Sequence, residues 1–434
     1  MWNNQLKGGD QYYIGVIEEF EQTSVEDSPY ARWLLIIDAV LSKDFIRGQS
    51  TDQWIYDANT AFLRSVSTRK KFHELSGLDA GLEKGAWVEI TVGSKPTSTP
   101  IWGYSTALNA QQDAPLGKAY IQRISILDDD PQPKSAGAAT TAQKVSKKRA
   151  AREFDLKQLA RKAGSNASQS IYQKLGQCIS GIVHDVGQAS ANSFSTDKGK
   201  TIYFDVGRPL WFQGFTMNKN KKLPTPDESN GDLIILSHWD WDHYAYGRFD
   251  PDFHKVNWIA PSQIVGPSAY KFAKKLHDQN KLYLFHGSLK NPIQCPAFKL
   301  YRDGSKPKDR NGSGLVAEIR LKDNRLILLT GDCDYVTCAQ LSPNATYDRV
   351  IIPHHGGASG GNPPKIKKHT RNPFIVSYGL NNKYRHPKFA ELKTHAQTDH
   401  SIVGTAQNKM PNEYTKHNKY RKLLVLRNRG DVTI

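Results

Sequence analysis

The sequence predicts an α/β protein: two mixed sheets packed face to face with helices outside, an αββα sandwich, preceded by a small mainly-β domain. Three observations carry this. Up to residue 130 apolar positions alternate between Gly and Pro punctuation, as in short strands. Residues 131–176 change to linker-like and then basic composition. From residue 177 to residue 434 short apolar runs recur between helical stretches, as expected of strands buried on both faces.

In the first domain, residues 1–130, the strand candidates are Tyr12–Ile17, Arg32–Ile37, Trp87–Val92 and Tyr120–Ile126, with one helix expected from Asp57 to Leu75. They suggest a barrel or sandwich, and an oligonucleotide-binding-like barrel is one form it can take. A surface for a protein partner fits this domain equally well. Asp128-Asp129-Asp130-Pro131-Gln132-Pro133 and Ser135–Thr141 then read as a flexible linker. Lys144, Lys147, Lys148, Arg149, Arg152, Lys157, Arg161 and Lys162 follow in a stretch of helical composition, with one helix expected at Val145–Ala163. Such a helix can dock on phosphates, and a solvated linker helix explains its charges as well.

The larger domain offers strands around Ser180–Ser190, Thr201–Gly207, Leu233–Leu236, Trp258–Ala260, Leu282–Phe285, Gly314–Ile319, Arg325–Leu329, Arg349–Ile352, Phe374–Ser377 and Leu423–Leu426, with a helix at Ser268–Asp278. The run Leu233–Leu236 opens into Ser237-His238-Trp239-Asp240-Trp241-Asp242-His243. Alternate residues of an extended chain share a face, so His238 and Asp240 can reach one ion. If the chain then turns, Asp242 and His243 can reach a second. Imidazole with carboxylate suits Zn²⁺, Mn²⁺ or Fe, whereas Ca²⁺ and Mg²⁺ prefer oxygen alone. Backbone capping explains four such side chains in six residues poorly.

H-x-D-x-D-H after a strand resembles the second signature of the metallo-β-lactamase fold, in the form found in the hydrolase domain of the DNA-uptake competence channel protein and its soluble relatives. Further stations follow that family's order over roughly residues 178–429. Asp185-Val186-Gly187-Gln188-Ala189-Ser190 is similar to its D-V-G-Q opening, with Gly187 suited to positive φ. Phe204-Asp205-Val206-Gly207 matches the first signature. The resemblance implies that Asp205, with Asp185 in support, orients the metal loop through hydrogen bonds. Thr330-Gly331-Asp332 resembles the G-D station, which implies that Asp332 bridges two metals. Ile352-Pro353-His354-His355-Gly356-Gly357 resembles H-H-G-S with Gly357 in place of Ser; His354 is expected to be the ligand and His355 the second participant. Ser377–Pro387 is similar to S-x-G-x-x-N-x-Y-x-H-P, which brings His386 to the site with Lys383, Arg385 and Lys388 available to phosphate. His286 lies where the wider superfamily places a ligand. Trp239 and Trp241 flank the ligands, either as core packing or as a platform for a base.

The ligand set so implied is His238, Asp240, Asp242, His243, Asp332 and His354, holding two divalent ions, zinc or manganese, with Asp242, His355 and His386 taking part in the chemistry. The charge fits a polyanionic substrate: 59 Lys and Arg stand against 42 Asp and Glu, a formal charge of +17. Hydrolysis of a phosphodiester, in nucleic acid and first of all DNA, is the expected reaction. Alternatives are a hydrolase of a small phosphorylated molecule such as a cyclic nucleotide, and a non-catalytic nucleic-acid or partner-binding component with a structural metal. Four cysteines without a C-x-x-C pair suit a reducing compartment. No apolar run is long enough to span a bilayer, and the N-terminal residues lack a signal-peptide core, so a cytoplasmic location is expected. Resemblance to the soluble relatives implies a role in repair or phage defence beside partner proteins.

Overall fold

The computed structural model describes residues 9–23, 31–47, 53–77, 82–106, 114–129, 145–160, 169–217, 221–285, 292–302, 309–341, 344–368, 370–396, 401–406 and 429–434. These fall into two units, Met1–Leu156 with Ile264–Lys275, and Lys157–Gln263 with Leu276–Ile434. The strand expected at Leu423–Leu426 lies outside the described residues, as do His286, Lys144, Arg161 and Lys162.

In the first unit β1 (Gln11–Gln22), β2 (Arg32–Leu41), β3 (Thr60–Thr68), β4 (Trp87–Gly93), β5 (Pro100–Ser105) and β6 (Ala114–Ile126) close a barrel in the order β1-β2-β3-β5-β6-β4. Every pairing is antiparallel. Alternate residues such as Leu35, Ile37, Leu63, Val88, Ile90, Ile101 and Ile121 fill its interior. An oligonucleotide-binding barrel has five strands; here β5 and β6 form a hairpin between β3 and β4.

The helix expected from Asp57 to Leu75 is instead a single turn at Trp54–Asp57, strand β3 and a helix at Arg69–Ser76. Ser, Thr and Val dominate β3, and its inward residues bury on a two-residue period, which a helix would not satisfy. Thr68 then caps the helix by accepting a hydrogen bond from the Lys71 amide at 3.3 Å. The basic helix expected at Val145–Ala163 is likewise broken, into Lys147–Glu153 and Lys157–Ala160. Between them Phe154 is fully buried, stacked at 5.4 Å on Trp87 and at 5.8 Å from Phe45. Burial of one aromatic ring there outweighs the charge pattern of its neighbours.

The second unit has two seven-stranded sheets. One has the order β12-β11-β10-β9-β8-β7-β20, from β7 (Cys178–Val183), β8 (Ala191–Thr196), β9 (Thr201–Val206), β10 (Leu233–Ile235), β11 (Asn257–Pro261), β12 (Leu282–Phe285) and β20 (Val432–Thr433). The other runs β13 to β19 in sequence: β13 (Ile293–Gln294), β14 (Phe298–Arg302), β15 (Leu315–Arg320), β16 (Leu326–Leu329), β17 (Arg349–Ile351), β18 (Phe374–Val376) and β19 (Ile402–Gly404). Phe194, Ile202, Phe204, Leu233 and Ile259 of the first sheet share one apolar cluster with Leu300, Leu315, Ile327, Leu329 and Ile375 of the second. The strands β9, β10, β16, β17 and β18 all pair in parallel with a neighbour, and the chain leaves each toward the residues described below. Among the described residues no helix is long and apolar enough to cross a membrane.

Within the first unit one buried carboxylate ties the helix beginning at Pro267 to the barrel. Asp38 of β2 accepts from the Ser268 amide at 3.0 and 3.1 Å and from Ser268 Oγ at 2.6 Å. Gly266 leaves the room, since a Cβ there would lie 2.1 Å from Asp38 Oδ2. Burial, then the nearby charge of Glu18, raises the Asp38 carboxyl to about 8. A folded-state pKa above the unfolded value of 3.8 gives stability that is complete below that value and is lost as pH rises toward 8. Asp38→Asn is therefore expected to lose less thermal stability than the parent between pH 5 and pH 8, about the window set by that shift. Parallel melting curves at both pH values check it; equal losses would refute it.

Candidate metal centre

The site is built around Asp205 at the end of β9. Asp205 holds a left-handed backbone, φ 60°, uncommon outside Gly and tolerated by Asp. Its carboxylate then faces the loop after β10. Oδ1 accepts from the Ser237 amide at 2.7 Å, and Oδ2 accepts from Ser237 Oγ at 2.9 Å and from His243 Nδ1 at 2.8 Å. Ser237 Oγ in turn lies 3.0 Å from His238 Nδ1. On the opposite side His355 Nδ1 donates to the Ser377 carbonyl at 3.0 Å.

Those contacts decide the tautomers. A carboxylate and a carbonyl only accept, so the Nδ1 atoms of His243 and His355 carry hydrogen and their Nε2 atoms present lone pairs. Ser237 Oγ, having given its hydrogen to Asp205, is left to accept from His238 Nδ1, and His238 follows the same pattern. Nε2 of His238, His243 and His355 and Oδ1 of Asp332 are all buried without a hydrogen-bond partner among the described residues. Orphaned buried polar atoms are costly unless something else satisfies them. Ligand atoms of His238, His243 and Asp332 lie within 4.8 Å of one another, as do those of Asp242, His243 and His355. These two groups fit nitrogen-and-oxygen-liganded divalent cations.

The individual distances show how the groups share residues. His243 Nε2 is 3.1 Å from Asp332 Oδ1 and 3.9 Å from Asp242 Oδ1, while His355 Nε2 is 3.2 Å from Asp242 Oδ2. His238 Nε2 is 3.8 Å from Asp332 Oδ2 and 3.5 Å from Asp240 Oδ2. Asp240 Oδ1 pairs with Arg310 Nε at 3.1 Å, so one oxygen of Asp240 is already engaged. Asp242 and His243 sit in the first turn of the helix Trp241–Phe249, where the dipole favours the carboxylate. Gly207 permits this approach: a Cβ there would lie 1.7 Å from the Asp242 carbonyl.

The charges agree with the geometry. Burial opposes charging His243, but Asp332 and Asp205 outweigh it and raise the imidazole well above its ordinary range. His355 is raised too, against burial, by Asp242. Burial favours protonating Asp332, yet His243, His354 and His238 hold its carboxyl well below the usual range. A cation bound among these atoms would displace any proton held on the same nitrogens.

His354 and His355 follow β17 in a tight turn, both left-handed at φ 54° and 53°. Position distinguishes the two histidines. His355 is buried beside Asp242 and His243, whereas His354 is part-exposed with Nε2 3.9 Å from Asp332 Oδ2. The turn, not strand alternation, aims the two rings. His386 stands 5.2 Å from His354, ring to ring, and has the opposite tautomer. Gln188 fixes its own amide by accepting from the Gly379 amide at 3.2 Å, so its Nε2 donates toward His386 Nδ1 at 3.4 Å and leaves His386 Nε2 as the donor. Burial, then His354, His355 and Lys388, holds this ring neutral, well below its ordinary range. Gly357 has a reason to replace Ser: a Cβ there would lie 2.8 Å from His386 Cε1.

Other expected residues divide. Gly187 has φ +78° as anticipated. Asp185 is buried but its carboxylate accepts from Arg429, which also donates to the Thr216 carbonyl, so Asp185 braces that loop and does not reach the metal loop. Lys383, Arg385 and Lys388 are exposed on the segment after β18, with the Lys388 amide tied to the Gly356 carbonyl at 2.7 Å. Trp239 and Trp241 are buried core residues; Trp239 Nε1 donates to the Pro261 carbonyl at 2.9 Å. Sequence reasoning missed Ser237, Arg310 and the Ser377 carbonyl. Ser237 was legible as the residue before the first ligand; the other two act through contacts distant in sequence.

No family model matches the sequence, and no curated protein matches it. Among solved structures the chain is similar to Zn²⁺-bound PqqB from Methylobacterium extorquens, with 10% identity and a TM-score of 0.32 over 58% of this chain and 99% of that one. It is also similar to the metallo-β-lactamase MIM-1 from Novosphingobium pentaromativorans, with 12% identity and a TM-score of 0.22 over 42% of this chain and 77% of that one. What the site can do follows from its own geometry.

Asp205→Asn replaces one acceptor oxygen by a donor and misdirects both Ser237 and His243. Its affinity for Zn²⁺, measured by competition with a chromophoric chelator, is expected to fall about 10- to 100-fold. Parent-like affinity would show that Asp205 does not set the ligands.

Proposed function

We propose that the second unit is a metallo-β-lactamase-fold hydrolase that cleaves phosphodiester bonds in nucleic acid, DNA in the first instance. The observation that carries this is the convergence of three imidazoles, each with its Nε2 lone pair turned inward, on Asp242 and Asp332. His238, Asp240 and Asp332 would hold one divalent cation, and Asp242, His243, His355 and Asp332 a second, with zinc or manganese suited to the donors. Such ions supply Lewis acidity and lower the pKa of the attacking water.

The chain's own groups complete the reaction. Asp205 and the Ser377 carbonyl keep the ligand rings fixed. His386, a neutral ring whose N–H is at Nε2, stands beside His354 and would donate a hydrogen bond to the charge that develops on the phosphate or leaving oxygen. Lys383, Arg385 and Lys388 bear positive charge on the same segment and can pair with the phosphates of a polyanion. The formal charge of +17 supports nucleic acid over a small neutral substrate. The barrel is proposed to recruit nucleic acid or a protein partner to this reaction.

Chelator-treated protein is expected to cleave single-stranded, double-stranded or supercoiled DNA only after Mn²⁺, Zn²⁺ or Mg²⁺ is restored, and Asp242→Ala and Asp332→Asn are expected to abolish cleavage. His386→Ala should lower the rate about 100-fold or more while metal content stays at the parent level. Cleavage that survives loss of Asp242, or absence of cleavage by the parent with every metal, would overturn the reading.

A further inference from the structure

The short helical turn Trp211–Thr216 inverts the usual burial pattern. Its buried members are the polar Gln213 and Thr216, while Phe215 is 55% exposed and Trp211 and Phe212 are part-exposed. A turn formed only for packing would place its rings inward. The polar residues instead fasten the turn from below. Gln213 Oε1 accepts from the Lys383 amide at 3.1 Å, and Thr216 Oγ1 accepts from the Gln188 amide at 3.0 Å. Gly379 lets the two segments touch, since a Cβ there would lie 2.3 Å from Thr216 Cβ.

This anchoring lays out a file of rings ending at the metal cluster. Trp211 meets Phe212 at 5.5 Å, Phe212 meets Tyr384 at 6.4 Å, Tyr384 meets His386 at 5.8 Å, and His386 meets His354 at 5.2 Å. Cations accompany it: Lys383 Nζ lies 5.7 Å from the centre of the Phe215 ring, and Arg385 and Lys388 are exposed on the same segment. Exposed rings beside lysine and arginine, held on a fixed support, match the chemistry of an unpaired nucleotide: a base to stack and a phosphate to pair.

We infer that Trp211, Phe215 and Tyr384, with Lys383 and Arg385, form a base-stacking rim that seats unpaired nucleotides of a single strand next to the metal centre. The inference rests on the phosphodiesterase reading and names its substrate as single-stranded. A base held in a duplex cannot offer its face to these rings, so a duplex would engage only the cations.

The test separates the rim from the chemistry by measuring binding with chelator present. Fluorescence anisotropy of a short labelled oligothymidine is compared with an abasic strand of the same length and with a duplex. Phe215→Ala and Trp211→Ala are expected to weaken oligothymidine binding roughly tenfold, Phe215→Trp to retain it, and the abasic strand to bind weakly to parent and variants alike. Val336→Ala, at an exposed apolar residue outside the rim, should bind as the parent does. Parent-like binding by Phe215→Ala, or an abasic strand that competes as well as oligothymidine, would overturn the rim. Hydrolysis of bis(4-nitrophenyl) phosphate by the metal-loaded parent is measured beside it; its absence would count against the phosphodiesterase reading alone, because the binding comparison needs no turnover.

Discussion

The loop and helix at the heart of the candidate metal centre depend on the carboxylate of Asp205. It is fully buried and bears three hydrogen bonds, from the amide and hydroxyl of Ser237 in the loop that follows β10 and from the imidazole of His243 in the helix beyond it. A buried carboxylate is tolerable only when so satisfied, and the same bonds fix which nitrogen of His243, and through Ser237 of His238, faces the cluster. The left-handed backbone at Asp205 is part of the arrangement, because it turns the side chain off its strand toward the neighbouring loop.

Close approach is the second constraint, and three glycines permit it. Gly207 lies under the Asp242 carbonyl, Gly331 against the Ser237 side chain, and Gly357 against the His386 ring; a Cβ would approach to 1.7, 2.5 and 2.8 Å in turn. Each spacing is one that real side chains do not adopt, so a methyl group would push apart the elements it separates. Together they let loops from five strands crowd their functional groups together. Loops at the ends of parallel strands carry the site because each strand fixes where its loop begins.

Local chemistry was legible in the sequence, and long-range chemistry was not. His238, Asp242 and His243 lie in one short polar stretch after a strand and Asp332 at a station of the resemblance, and the structure brings these residues together. The strand at Thr60–Thr68 was misread because Phe62, Leu63 and Val66 fit a helical stripe almost as well as an alternating one; pairing with β2 and β5 decides it. How the two adjacent histidines would share their work was not legible, because the backbone is left-handed at both and that turn aims the rings. Arg429 claims Asp185 across 244 positions, and no local pattern could announce that. The aromatic turn at Trp211–Thr216 carries no motif in the sequence, since exposure is a property of the folded chain.

The balance of charge suits this cluster to divalent cations. Asp205, Asp240 and Asp332 are buried, and Asp242 is only part-exposed. Arg310 offsets Asp240, and hydrogen bonds satisfy Asp205. Asp242 and Asp332 then face imidazoles, and without metal the charge can be met only by protonating His243 and His355, which burial resists. A buried ion pair made that way costs desolvation on both partners, and the cost is recovered only with close, well-aligned contacts. The contact of 3.1 Å between His243 Nε2 and Asp332 Oδ1 is close yet out of hydrogen-bonding alignment. A divalent cation among the same atoms would meet lone pairs on both sides, with every ring already in the tautomer it requires. The arrangement is thus poorly designed for holding protons and well arranged for holding metal.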